Sequence, residues 1–352
     1  MEISKLKILE LASVLAGPSV GTFFSELGCN VIKIENKGTN GDVTRQWKLD
    51  TESQENSISA YYAAVNYGKK SIMLDFYNDD DLQKLKEFIA NCDIVIMNFK
   101  QDDYLKFNLD FESTKLLNPK IIFASISGFE NNNPRVAYDL VLQAEAGFMD
   151  MNGATLGDPT KFPIAIIDLF AAHQLKEAIL IALYEQMFDQ KAKQVSVSLY
   201  ESAIACLANQ ATNFLMENQV AKRQGSLHPN IAPYGEIFIT KDYKSIVLAI
   251  GTNKQFDCLM DYLDIFEVYL FKNNQLRIKN RKQLELVIQS KIEKIAFLQL
   301  ENDLLKRGIP FGRIRNIEEV FENPIAKEMI QTEIIEGQMT KRVKTIAFKM
   351  QV

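Results

Sequence analysis

Asp168 is the acid in this sequence whose surroundings best suit chemistry. It stands in the run KFPIAIIDLF, between Ile167 and Leu169, where an amphipathic helical pattern begins that continues to about Met187. A carboxylate among aliphatic side chains is costly unless it is paired. Two readings fit. As a helix cap, Asp168 accepts hydrogen bonds from amides of the first turn and sits at the positive end of the helix. As a nucleophile, it attacks an acyl carbonyl and forms a covalent intermediate. The two are compatible, because a helix N-terminus favours the ionised carboxylate that attack requires. The pattern therefore predicts an ionised Asp168 capping its own helix.

Other constellations are thinner. His173 and His228 are the two histidines, and the four cysteines (Cys29, Cys92, Cys206 and Cys258) show no C-x-x-C spacing. His173 falls five residues after Asp168, about 140° round a helix from it, so the two do not share a face. This argues against zinc chemistry. No G-x-S-x-G is present, which argues against a Ser–His–Asp hydrolase. Gly17, Gly21 and Gly28 do not form a dinucleotide fingerprint, so no nicotinamide cofactor is expected. Basic residues recur beside predicted strand ends: Lys33, Arg45, Lys69, Lys70, Lys100, Lys106 and Arg135. Singly each reads as a solvated surface charge, and together they suit a ligand carrying several phosphates. Ile250-Gly251-Thr252-Asn253 lies between a predicted strand and helix. It reads either as an ordinary turn with Asn253 as N-cap or as a mobile loop whose amides reach a reacting centre.

The elements that must position these residues follow from hydrophobic periodicity. Leu6–Leu11, Val31–Glu35, Ser71–Asp75, Asp93–Met97, Ile121–Ser125 and Gln194–Leu199 read as strands. Val20–Leu27, Asp79–Ala90, Tyr138–Gly147 and the Asp168 segment read as helices. Alternation of the two predicts an α/β fold with a parallel sheet, which binds ligands at its strand ends. Asn36–Asn66 reads as a long irregular segment, of functional or lid type, and holds the sole tryptophan, Trp47. From Gly225 to about Phe311 the pattern changes to a second, smaller α+β lobe, as expected for 352 residues. In the tail, Ile330–Ile335 and Val343–Phe348 read as strands. Hydrophobic residues make up 47% of the chain and the net charge is −5, which argues against a general nucleic-acid binder. Unpaired cysteines, the absence of signal-peptide anatomy and the lack of an apolar run near the roughly 20 residues that span a bilayer predict a cytoplasmic protein away from membranes.

In order along the chain stand ILELASVLAGP, LGCNVIKIE, GDVTRQW, NYGKKSIMLDF, Asn98-Phe99, SISGF, YDLVLQAEAG, the acid-led helix, QVSVSLYESA, HPNIAPY and GIPFGRIRNIEEV. From about residue 6 to 330 this set resembles the family III CoA-transferases, the formyl-CoA, carnitine-CoA and bile-acid-CoA transferase group. The resemblance implies a large Rossmann-like domain from residues 1–224 and 312–352, with a small α+β domain, 225–311, inserted in it. It also implies two chains interlocked as a homodimer. The implied reaction moves CoA from an acyl-CoA to a free carboxylic acid through an aspartyl anhydride and an aspartyl-CoA thioester, with no metal. The nucleophile of that family falls on Asp168. The implied CoA contacts are the backbone from Val14 to Ala16, Arg45, Lys69, Lys70, Asn98, Phe99 and Lys106. Tyr138 and Asp139 match the Tyr–acid pair near the nucleophile. Gly251 begins the loop that in some relatives closes over it.

The sequence also departs from the family pattern. Asn36 replaces an arginine that helps hold the nucleotide end of CoA, Gln101-Asp102 replaces Pro-Gly, and Thr252-Asn253-Lys254 replaces a run of glycines. Two alternatives stand beside CoA transfer. An α-methylacyl-CoA racemase shares the fold but uses a histidine where this chain has Tyr138, a poor base at neutral pH. A CoA-binding protein without turnover would fit the reduced loop and Asn36, since fold alone does not secure function.

Overall fold

The computed structural model describes residues 2–99, 101–129, 133, 135–266 and 269–350. The chain divides into two compact units. One is formed by Met1–Met149, Lys161–Ala221 and Glu328–Val352, the other by Asp150–Thr160 and Lys222–Lys327. The segment 225–311 lies within the second.

The first unit is built on β1 (Lys7–Leu11), β2 (Asn30–Asn36), β3 (Lys69–Leu74), β4 (Ile94–Met97), β5 (Ile122–Ser127) and β6 (Lys193–Ser198). Each pairs in parallel with its neighbours in the order β3-β2-β1-β4-β5-β6. Strand order reverses between β1 and β4, where open α/β sheets form a ligand crevice. These strands are apolar on both sides because both faces are covered. On one face, α1 (Ala16–Glu26) brings Val20 and Phe24 against Ile8, Ile94 and Ile122. On the other, Leu9, Val95 and Phe123 meet Leu85 and Ile89 of a helix at Asp79–Ala90.

The element carrying Asp168 runs over Ile166–Asp189 and is here called α2. It buries Ile167, Ala171, Leu175, Ile179 and Leu183, each four residues from the last, against the α1 face of the sheet. A short helix, α3 (Asp139–Glu145), packs beside its start. The segment read as irregular, Asn36–Asn66, contains two 3-10 turns and a short helix at Ala60–Ala64.

The tail returns to this unit as a hairpin of β7 (Ile330–Ile335) and β8 (Gln338–Val343). Its second strand comes earlier than Val343–Phe348. Glu336 and Gly337 both adopt positive φ, 50° and 83°, in a two-residue turn that fixes the register at Ile335↔Gln338.

In the second unit, Tyr234–Ile239, Ser245–Ala249 and Phe311–Arg313 form an antiparallel sheet. It packs with helices at Asn253–Tyr262, Arg281–Ile292 and Phe297–Arg307 around Phe238, Leu248, Phe256, Ile288 and Leu304. Thr252, not Asn253, caps the first of these helices, in a capping box with Gln255.

Candidate active site

Asp168 is the third residue of α2 and only 6% exposed. It does not cap its helix. The N-cap, Ala165, has no side-chain acceptor, and the role passes to Asp139 of α3. Asp139 Oδ1 accepts the Ile167 N–H at 2.8 Å and, at a longer 3.4 Å, that of Asp168 itself. Its Oδ2 accepts from Gln143 Nε2 at 2.6 Å, and the buried Gln143 takes the Phe162 N–H at 2.7 Å. The amides that would have held Asp168 ionised are therefore spent on a second carboxylate. Burial first, and the charge of Asp139 second, push Asp168 up to about 7. The expected firmly ionised Asp168 is corrected: burial and the neighbouring charge raise its carboxyl to about 7.

Tyr61 completes this corner. Its ring packs edge-on against Trp47 at 5.1 Å between centroids. Burial, followed by the carboxylates of Asp168, Asp139 and Asp42, pushes its hydroxyl up to about 12. It remains a hydrogen-bond donor in the field of Asp168. Tyr61 is absent from the motif set; the available signal was its place with Trp47 in a long segment that had no other reason to be apolar. Tyr138, which precedes Asp139, is 48% exposed.

At the switch point, the turn from β1 to α1 is held from three sides. Asn98 binds both backbone polar groups of Ser13, with Ser13 N–H to Oδ1 at 3.1 Å and Nδ2 to Ser13 C=O at 2.9 Å. Lys33 Nζ donates to the Ala12 carbonyl at 2.6 Å. The Val14 N–H meets both oxygens of Asp42 at 3.3 and 3.2 Å. Beyond the turn, α1 begins with no side-chain cap, and among the described residues no acceptor takes the N–H of Leu15, Ala16 or Gly17. A helix end with free amides is suited to an anion or a carbonyl.

Several expected CoA contacts already have partners within the protein. Arg45 is buried and forks onto Glu35 at 2.7 Å and onto Glu336 at 2.9 and 3.1 Å. Lys69 is buried on Glu10 at 2.7 Å and on the carbonyls of Pro18 and Val65. Lys33 is likewise buried between Glu10 and Asp42, both at 3.1 Å. Asn98 is committed to Ser13, and Phe99 packs against Phe76 and Tyr104. Of the expected CoA contacts, Lys70 and Lys106 are exposed, the latter 2.8 Å from the Tyr77 hydroxyl. Arg135 pairs with Glu145 and covers the Phe129 ring, while Lys100 lies outside the described residues. Asn36 caps its own turn through the Gly38 N–H at 2.8 Å. In the second unit, the N–H groups of Gly251 and Thr252 converge on Gln255 Oε1 at 3.0 and 3.1 Å. Two amides on one oxygen have the geometry of an oxyanion hole, here filled by a side-chain carbonyl. Among the described residues no group of three or more His, Cys, Asp or Glu side chains is placed to hold a metal, and no helix is long and apolar enough to cross a membrane.

A parallel sheet in 3-2-1-4-5-6 order, with a buried acid at the head of a helix packed on it, defines a Rossmann-like α/β enzyme. CoA-transferase family III matches residues 3–352, and the chain belongs to this family. It is similar to the succinate–glutarate CoA-transferase of Agrobacterium fabrum, at 34% identity over 92% of this chain and 82% of that one. It is also similar to the human succinyl-CoA:glutarate CoA-transferase, at 34% identity over 91% and 73%. Among solved structures, a CaiB/BaiF family protein from Brucella suis superposes with a TM-score of 0.82 and 34% identity, covering 98% of this chain and 92% of that one. The chain is a CoA-transferase, moving CoA from an acyl-CoA to a free carboxylic acid.

Proposed function

We propose that Asp168 is the nucleophile of this transfer and that the acids exchanged are short dicarboxylates. The supporting observation is the burial of Asp168 beside Asp139 and the protonated Tyr61. Asp168 Oδ attacks the thioester carbonyl, the C–S bond breaks, and an acyl-aspartyl anhydride and CoA thiolate form. The thiolate attacks the aspartyl carbonyl, giving aspartyl-CoA and releasing the donor acid. The acceptor carboxylate attacks aspartyl-CoA, expels the thiolate and forms a new anhydride. The thiolate then takes the acceptor acyl group and frees Asp168. One thioester is made for each one broken, so no external energy source is required. A carboxylate poised near neutrality and stripped of water is a stronger nucleophile than a solvated one. Tyr61 supplies a donor to the oxyanion or to the substrate carboxylate.

CoA is read as lying along the β1–α1 turn, its carbonyls or phosphates on the free amides from Leu15 to Gly17, with Lys70 and Lys106 as exposed phosphate partners. Phe99 gives packing, Asn98 and Arg45 shape the pocket, and Lys69 balances buried charge. Gly251 and Thr252 are read as a pair of backbone amides able to serve an oxyanion. The second unit is read as the inserted small domain that contributes acceptor selectivity. The chain is read as a cytoplasmic homodimer, in keeping with four free cysteines.

Dicarboxylates are favoured because succinate and glutarate appear in the names of the Agrobacterium and human relatives. The test is CoA transfer from succinyl-CoA to a panel of carboxylic acids. Glutarate and related dicarboxylates should be accepted over monocarboxylates, and Asp168→Asn should lower the rate by roughly 10⁴-fold or more. A preference for monocarboxylates would overturn the substrate reading, and near-normal activity in Asp168→Asn would overturn the nucleophile.

A further inference from the structure

Val14 holds φ at 71°, in the left-handed region. This is a genuine outlier for a β-branched residue, whose Cβ crowds the backbone there. A turn of this kind is ordinarily given to glycine. Such conformations persist only where the surroundings over-determine them. The surroundings here are three consecutive residues each gripped from a different strand or loop: Ala12 by Lys33, Ser13 by Asn98, and Val14 by Asp42.

Asp42 is the keystone of this grip. It is 4% exposed, and its carboxylate faces the Val14 N–H, the Thr44 N–H and hydroxyl at 3.0 and 2.8 Å, and the Lys33 ammonium at 3.1 Å. Its own N–H is fixed by Glu35 Oε2 at 2.7 Å, and Glu35 is in turn forked by Arg45. The Gly-Asp-Val-Thr-Arg stretch thus serves the ligand turn through its aspartate, while its arginine serves the frame.

We propose that Asp42 is the positioning residue of the CoA-anchoring turn: its buried carboxylate holds Val14 in the left-handed conformation that aims the free amides of Leu15, Ala16 and Gly17 at the ligand. This rests on the reading of that turn as the CoA anchor. Asp42 touches no substrate, and its effect reaches the ligand through the backbone. Without it, Val14 relaxes toward an ordinary conformation, and the fraction of molecules with a competent turn falls, which weakens binding in proportion.

The test is equilibrium binding of coenzyme A itself, without turnover, to the full chain. Asp42→Asn leaves a single acceptor oxygen, which the Thr44 N–H and hydroxyl already engage, and should raise the dissociation constant by about tenfold or more. Adding Val14→Gly to that variant should recover most of the loss, because glycine takes the left-handed turn without a clamp. A role confined to balancing buried charge would not be rescued by a glycine at position 14. If Asp42→Asn does not fold, Asp42→Glu keeps the charge opposite Lys33 while displacing the acceptor, and should weaken CoA binding in a folded protein. Wild-type affinity in Asp42→Asn or Asp42→Glu, or an unrescued double variant, would overturn the proposal. Hydrogen exchange on the wild type separates this from the underlying reading. CoA should slow exchange at Leu15–Gly17; without that protection the anchor reading falls, and the proposal with it. Protection that is indifferent to Asp42 would sink the proposal alone.

Discussion

At the scale of the residue, the telling correction concerns which carboxylate caps the helix. Sequence pattern placed an acid at the head of α2 and paired it with the amides there. Asp139, 29 positions earlier, takes those amides instead. No periodicity in a single chain announces which of two acids wins a cap, since the choice depends on how α3 docks. The chemical consequence is large. A capped Asp168 would be a firmly ionised, weakly basic carboxylate, whereas burial and the charge of Asp139 raise the uncapped one to about 7. In the proposed role the deprotonated form attacks, so kcat/KM should rise with pH through about 7 and fall about tenfold per unit below it. Asp139→Asn keeps an oxygen for the Ile167 amide but removes the charge, so the acidic limb should move to lower pH. A pH–rate series on both proteins reads this directly. A profile flat from about pH 5 to 8 in the wild type, or an unmoved limb in the variant, would contradict it.

At the scale of the element, the parallel sheet was plain in the sequence because its strands are apolar on both sides and lie between amphipathic helices. The three binding motifs Gly-Asp-Val-Thr-Arg, Asn-Tyr-Gly-Lys-Lys and Asn-Phe were equally plain as motifs. Their work was not. Arg45, Lys69 and Asn98 look like ligand groups by type, yet each is held by the protein because Glu35, Glu10 and Ser13 arrive from other segments. The terminal hairpin shows the same dependence on distant partners. Arg342 meets Glu26 of α1, both buried, and Glu26 also accepts the N–H groups of Thr345 at 3.0 Å and Ile346 at 2.9 Å. Glu333 takes the Gly68 N–H at 3.0 and 3.1 Å. Removing one partner of a buried pair leaves the other uncompensated. Glu26→Ala should therefore destabilise the protein by about 3 kcal/mol and speed hydrogen exchange in β7, β8 and the residues to Ile346 before the sheet opens. Exchange unchanged in the hairpin would show that the tail is held by other means.

At the scale of the whole molecule, α2 keeps a second side out of the core. Ile181, Tyr184, Met187 and Phe188 are exposed on it, as are Leu215 and Met216 on the helix Ala208–Glu217. Large exposed apolar side chains of this kind favour association. With the homodimer reading it predicts the mass of two chains by light scattering down to micromolar concentration; a monomer there would refute it. The proposed mechanism also demands that water be kept from an anhydride on Asp168. The most direct measurement is mass spectrometry of the peptide carrying Asp168 after hydroxylamine is added to enzyme incubated with succinyl-CoA. A hydroxamate on Asp168, absent without the thioester and absent from Asp168→Asn, is the predicted result. Full turnover with no modification at Asp168, or with the modification on another residue, would contradict the account.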